Sequence, residues 1–154
     1  MGLLSGVPVL VMPMKPVLRQ LLAPDNQRMA DLACNLLGAI LLLPLGLAFG
    51  SFFELVADRV PRGESIVAPP SHCRACGRPL SAAELVPLLS YLVQRGRCRG
   101  CGTPIGAGVP LREALSGLAL ALPWAVSGCA NPVGALLAGG VILGAVWAVR
   151  LLIK

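Results

Sequence analysis

Leu32-Ala-Cys-Asn-Leu-Leu-Gly-Ala-Ile-Leu-Leu-Leu-Pro-Leu-Gly-Leu-Ala-Phe-Gly-Ser-Phe-Phe53 runs for 22 residues without a charged side chain. A helix that crosses a bilayer needs about 20 such residues, so this stretch decides the fold class: a membrane α-helical protein. Composition agrees. Of the 154 residues, 56% are hydrophobic and 13% charged, where soluble domains carry about 25% charged residues. A second uncharged run, Ala114 to Val149, is 36 residues long. It is too long for one span and is broken at Ser127-Gly-Cys-Ala-Asn-Pro132, which reads as the turn of a helical hairpin. Its first arm is short, and is expected either to draw Leu111 and the stems of Arg112 and Glu113 into the interface or to thin the bilayer locally. About three transmembrane helices are expected, over residues 29–53 and within a hairpin at 114–154.

Between the first span and the hairpin lies the long polar stretch, residues 54–113. It contains two near-copies, Cys73-Arg-Ala-Cys76-Gly-Arg-Pro79 and Cys98-Arg-Gly-Cys101-Gly-Thr-Pro104. Each Cys-x-x-Cys turn brings two thiolates to one side of a tight loop, and two turns complete a tetrahedral shell around zinc. Gly after the second cysteine permits φ > 0 and Pro ends the turn. Cys73, Cys76, Cys98 and Cys101 are therefore the expected zinc ligands of a small knuckle domain. The competing reading, two disulfides or free thiols, fits the spacing less well. His72 stands beside a shell that four cysteines already fill, so it reads as a neighbour or a solvent-facing residue. Cys34 and Cys129 fall inside apolar runs and read as small buried side chains.

Charge gives the orientation. The 54–113 segment holds eight arginines against five carboxylates, so by the excess of Lys and Arg it belongs on the cytoplasmic side, as do Arg150 and Lys154 after the last span. Lys15, Arg19 and Arg28 would then lie outside. A reducing cytoplasm also favours a metal over disulfides. The same arginines could bind nucleic acid, but a single aromatic, Tyr91, lies between the knuckles, and topology accounts for the charge more economically.

Within this segment the first helix is expected to leave the membrane through Ser51 to Arg59 and stop at Val60-Pro61-Arg-Gly63. Ser81-Ala-Ala-Glu84 has the form of a capping box, and Leu85, Leu88, Leu89, Leu92 and Val93 have helical spacing, with Pro87 as an alternative helix start. So thin a core needs a metal staple. Residues 1–28 read as poorly structured or interfacial, because Pro8, Pro13, Pro16 and Pro24 break the apolar segment. A start at Met29 is the other reading of that region. Gly46-x-x-x-Gly50 and Gly140-x-x-x-Gly144 permit close helix approach, and internal packing is the plainer reading.

Gly50-Ser-Phe-Phe-Glu-Leu-Val-Ala-Asp-Arg-Val-Pro-Arg-Gly-Glu64, Cys73-x-x-Cys76-Gly-x-x-Leu80, Val86-Pro-Leu-Leu-Ser-Tyr-Leu92, Arg95-Gly-Arg-Cys-Arg-x-Cys101 and Pro110-Leu-Arg-Glu113, in that order, resemble the amino-terminal half of bacterial prepilin leader peptidases. The resemblance covers about residues 36–122. It departs at Glu54, where that family usually has Asn, and at Val109, where it has an aromatic. It implies an inner-membrane, multi-pass protein concerned with type IV prepilins or type II secretion pseudopilins, whose amino termini are cut and then methylated with S-adenosylmethionine. Arg59 and Glu113 match membrane-proximal positions of the family and are the candidate catalytic residues. Their plainer reading is an interfacial arginine and a helix-start carboxylate.

Cleavage in that family uses two aspartates, one in a Gly-x-Gly-Asp motif. Here the last aspartate is Asp58 and that motif does not occur. Asp25, Asp31 and Asp58 read as interfacial or capping carboxylates, and this chain by itself is expected not to be a peptidase. Three classes follow: an S-adenosylmethionine-dependent N-methyltransferase acting on a prepilin amino terminus, a non-catalytic zinc-binding subunit completing a split enzyme with a separate aspartyl peptidase half, or an adaptor for another partner. Gly106-Ala-Gly108 is too little for a dinucleotide-type donor site.

Overall fold

The computed structural model describes residues 24–152. The reading of the amino-terminal segment therefore falls outside the described residues, except that residues 25–28 already form the first turn of helix α1 (Asp25–Arg59). Short 3-10 turns follow at Val60–Arg62 and Ala82–Leu85, then α2 (Leu89–Val93), α3 (Gly108–Ser127) and α4 (Pro132–Leu152).

Helix α1 starts after Pro24, with Asp25 in its first turn and Arg59 in its last, each charge complementing the helix dipole. At about 1.5 Å per residue its 35 residues reach roughly 52 Å, well beyond a hydrocarbon core of about 30 Å. Pro44 sits inside it, where it removes one N–H from the ladder; neighbouring helices make such breaks tolerable in membrane helices. The helix tightens into the Val60–Arg62 turn and ends at Gly63, whose φ of 67° is the left-handed conformation that closes helices.

The hairpin follows from local chemistry as well. Pro110 lies in the first turn of α3 and Pro132 opens α4, positions at which the missing N–H costs no intrahelical bond. The Asn131 side chain accepts from Gly134 N–H at 3.1 Å and so caps α4. Helix α3 lies along α1, and α4 packs on α3.

Burial in this bundle is inverted relative to a soluble core. Apart from Trp147, the helix side chains turned inward are mostly small or polar: Asn35, Gly46 and Gly50 on α1, Ser116, Gly117, Ala119 and Ala121 on α3, and Ala135 and Gly139 on α4. Large apolar residues face outward, among them Leu37, Ile40, Leu41, Leu122, Leu137 and Val141. Lipid makes that arrangement favourable, since it solvates leucine as well as a protein interior does and rewards close backbone approach instead. A Cβ on Gly46 would lie 2.5 Å from the Ser116 carbonyl oxygen, and one on Gly50 would lie 2.9 Å from Glu113 Cα. This pair packs internally. Gly140 and Gly144 differ, with nothing within 4 Å of a Cβ at either.

By length and apolar composition two helices qualify to cross a membrane, α1 with its 3-10 extension and α4. Helix α3 is 20 residues long but carries Arg112 and Glu113 in its first turns, which lowers its apolar character. Cys34 and Cys129 require a correction. They are joined in a disulfide, with Cα atoms 6.2 Å apart, rather than buried separately as free thiols. Periodicity placed each in an apolar run, but only the return of the chain at the α3–α4 turn brings them together.

Candidate functional site

The two near-copies in sequence are near-copies in space. In the first, Cys73 N–H donates to the Arg78 carbonyl (2.9 Å) and Gly77 N–H to the Cys73 carbonyl (2.8 Å), with an antiparallel bridge between His72 and Pro79. In the second, Cys98 N–H donates to the Thr103 carbonyl (2.9 Å) and Gly102 N–H to the Cys98 carbonyl (2.9 Å), with a bridge between Arg97 and Pro104. Gly77 and Gly102 have φ of 71° and 70°, and a Cβ at either would meet nothing within 4 Å. Backbone sign, not space, selects glycine at both.

These turns bring the four predicted ligand residues together. The Sγ atoms of Cys73, Cys76, Cys98 and Cys101 all lie within 4.8 Å of one another, and Cys73 to Cys101 is 3.9 Å. Bonds of about 2.3 Å to a tetrahedral ion place sulfurs roughly 3.8 Å apart, so the donor set fits a bound metal. His72 is turned away, its Nδ1 3.1 Å from the Pro70 carbonyl oxygen.

The surroundings prepare the thiols unequally. Backbone N–H groups of Cys101 and Gly100 point at the buried Cys98 sulfur and hold its thiol down to about 6. The Thr103 hydroxyl, 3.2 Å from Cys101 Sγ, likewise favours the Cys101 thiolate. Cys76 is pushed up to about 11: Arg78 N–H favours its thiolate, but the adjoining Cys101 and Cys73 thiols and burial together outweigh that contact.

An ion pair between half-buried Arg78 and buried Glu84 braces this centre. The Glu84 side chain is 3% exposed and takes Arg78 in a two-point contact, Nη2 to Oε1 at 2.6 Å and Nη1 to Oε2 at 3.1 Å. Glu84 also accepts from the Ser81 N–H and hydroxyl at 2.9 Å, the return bond of the expected capping box. Arg78 first, then Ser81, hold the Glu84 carboxyl down to about 2. The continuous helix expected after this box does not form. The chain makes a 3-10 turn, then α2 begins at Leu89 and not at Pro87, and Leu89, Leu92 and Val93 are exposed. Leu88, with φ of 57°, is the break between the two pieces.

Where the module meets the helices lies a cleft of about 730 Å³, lined among others by Arg59, Glu113, Glu54, Tyr91, His72 and Arg150. Both candidate catalytic residues border it, and both are buried. Arg59 is 6% exposed; its Nη1 donates to the Ser65 carbonyl at 2.7 Å and its Nη2 to the Pro69 carbonyl at 2.8 Å, so it fastens the loop that leads to the first knuckle. Glu113 is 7% exposed and accepts from Leu88 N–H at 2.7 Å, which fixes the positive-φ Leu88 against α3. Among the described residues no cation pairs with Glu113, so its carboxylate keeps acceptor capacity beside the cleft.

Sequence reasoning left Glu54 without a role, and it is a hub. Arg112 takes it at both oxygens, Nε to Oε2 and Nη2 to Oε1 each at 2.6 Å, and Arg150 Nη2 lies 3.7 Å from Oε1. One carboxylate thus joins α1, α3 and α4 at the module end. The signal was available: antiparallel helices set the end of the first uncharged run level with the start of α3 and the end of α4. Asp58 pairs with Arg62 and Arg74, linking the helix end to the first knuckle.

Apolar membrane-type helices carrying a module with four clustered thiols at one end define the class. The family model of the bacterial peptidase A24 N-terminal domain matches residues 44–126, just over half of the chain, and the protein belongs to that family. Named relatives are prepilin leader peptidase/N-methyltransferases. The one from Myxococcus xanthus is 52% identical over 80 residues, covering 52% of this chain and 24% of the relative. The one from Bacillus subtilis is 41% identical over 76 residues, 49% of this chain and 31% of the relative. The one from Klebsiella pneumoniae is 39% identical over 104 residues, 64% of this chain and 44% of the relative. The chain thus spans between a quarter and less than half of the length of these curated relatives. No solved structure matches it.

Proposed function

We propose that this chain is the metal-bearing, methyl-transferring part of a prepilin-processing system, acting on the amino terminus of type IV pilin-like or type II secretion pseudopilin substrates. The observation that carries this reading is the cleft, which adjoins the four-cysteine centre and has Glu113 beside it without a cationic partner. Its size lies in the range of small-molecule sites. A methyl acceptor amine must be neutral when it attacks and must shed a proton afterwards. Glu113 can hold the amine by hydrogen bonding and receive that proton. S-adenosylmethionine supplies the methyl group when bound. Arg59 positions the wall of the cleft through Ser65 and Pro69 and does not contact the reacting atoms.

Zinc is the metal the four thiolates suit, and its part is to fold the module that forms one wall. The arginine excess of residues 54–113 supports a cytoplasmic module in a bacterial inner membrane, and the Glu54 hub, which draws α3 in between α1 and α4, supports α3 as a third span. Cleavage is not assigned to these residues, since Asp58 is committed to Arg62 and Arg74.

A second reading is a non-catalytic subunit that docks a separate aspartyl peptidase half. The open small-residue face at Gly140 and Gly144 favours it, because another helix could approach closely there. The two are separated by incubating the bilayer-reconstituted protein with labelled S-adenosylmethionine and pilin peptides, cleaved and uncut, with and without that half. Label in the cleaved peptide without the half supports methyl transfer by this chain. Transfer, or cleavage of the uncut peptide, only with the half supports the subunit, and neither label nor cleavage in either mixture sinks both.

A further inference from the structure

The six cysteines form two sets in different redox states at opposite ends of the bundle. Four free thiols gather in the module, and Cys34 and Cys129 are bonded at the α3–α4 turn. Along α1, Cys34 and Glu54 are 20 residues apart, roughly 30 Å at helical rise, which is about the thickness of a hydrocarbon core. The bonded pair therefore lies one membrane away from the thiol cluster. Disulfides persist in oxidising compartments and thiols in reducing ones. We infer that Cys34 and Cys129 are a substrate site for an extracytoplasmic protein thiol oxidant, and that the resulting bond locks the start of α1 to the hairpin turn. The sidedness rests on the cytoplasmic placement of the module proposed above.

The geometry suits that chemistry. Cys34 is exposed on α1 and Cys129 half-buried in the turn, so an oxidant can reach the first. The Cys34 thiolate attacks the oxidant's disulfide and releases one of its sulfurs as a thiolate. The Cys129 thiolate then attacks Cys34 Sγ in the mixed disulfide. Two thiols give up two protons and two electrons, and the oxidant leaves as a dithiol. A second contact holds the same segments in register: Asn35, next to Cys34, is 2% exposed and its Oδ1 accepts Cys129 N–H at 2.9 Å. One turn further along, Gly38 meets the Trp124 ring so closely that a Cβ there would overlap it. The Cα separation of 6.2 Å is within the range a disulfide spans.

The test counts thiols in the full chain made in bacterial cells, acid-quenched, denatured with chelator and treated with a mass-adding maleimide. The expected result is four modified cysteines before reduction and six after. Cys34→Ser and Cys129→Ser should each give five without reduction, and a host lacking its extracytoplasmic dithiol oxidase should give six. Six without reduction in ordinary cells would overturn the bond, and four in the oxidase-deficient host would overturn the assigned oxidant. Sidedness is read separately in the Cys34→Ser/Cys129→Ser background. A membrane-impermeant maleimide on intact cells should label Ala130→Cys and spare Glu64→Cys. The opposite pattern would overturn the sidedness and the cytoplasmic placement together, while the thiol count still reports on the bond.

Discussion

The two ends of the helical bundle are built by different means. At the module end, charge and sulfur do the holding: Glu54 joins three helices, Asp58 and Arg59 tie α1 to the knuckle loop, and four thiols converge on one point. At the far end the contacts are covalent or close-packed: one disulfide, one buried asparagine and a tryptophan laid on a glycine. The module end should therefore respond to metal, pH and charge removal, and the far end to none of these. The cleft, and with it the proposed chemistry, lies at the responsive end.

Metal removal is the strongest way to break this contrast. Structural zinc is worth about 10–16 kcal/mol in small thiolate peptides, and the module has little other core. Chelation or Cys76→Ser should open residues 64–107 to protease while α1, α3 and α4 keep their helical circular dichroism. A module that stays protease-resistant without metal would remove the contrast altogether.

Packing comes next. Gly46→Leu places a side chain where the Ser116 carbonyl oxygen already stands, and overpacking of this kind costs about 3 kcal/mol. Gly140→Leu, with open space around it, should cost less than about 0.5 kcal/mol on the same detergent unfolding curve. Equal losses would mean that Gly140 meets a partner helix, as the docking reading requires.

Acid probes the Arg78–Glu84 brace. The Glu84 carboxyl is held down to about 2 from an ordinary 4.5, so its contribution is fully present above about 4.5 and is lost as pH falls towards 2. Glu84→Gln lacks that contribution, and its stability deficit against the parent should shrink across this window when both are followed by module protease resistance. A deficit independent of pH would assign the brace to packing.

The legibility of this molecule in its sequence follows the range of its interactions. The knuckles are local: each needs two cysteines three positions apart, a glycine of one backbone sign and a proline, so the ligands and the turns were readable from the residues. The uncharged runs and the Gly63 stop are local as well. The Cys34–Cys129 bond was not readable, because its partners are 95 positions apart and each looks like an ordinary apolar residue in its own run. Glu54 was missed for a similar reason, since its partners lie on two other helices. The helix expected around Leu88 failed because Glu113, 25 positions away, accepts the Leu88 N–H where the backbone φ is positive; tertiary contact overrode the apolar spacing there.

The most direct measurement places one variant at each end of the bundle. Methyl transfer from labelled S-adenosylmethionine to the amine of a cleaved pilin peptide is followed for the reconstituted parent, for Glu113→Gln and for Cys34→Ser/Cys129→Ser, with metal content measured in each. Label is expected in the peptide with the parent and the far-end double variant, and at least a tenfold loss with Glu113→Gln at unchanged metal content. Transfer that survives Glu113→Gln but disappears with the far-end variant would contradict the proposed role of Glu113.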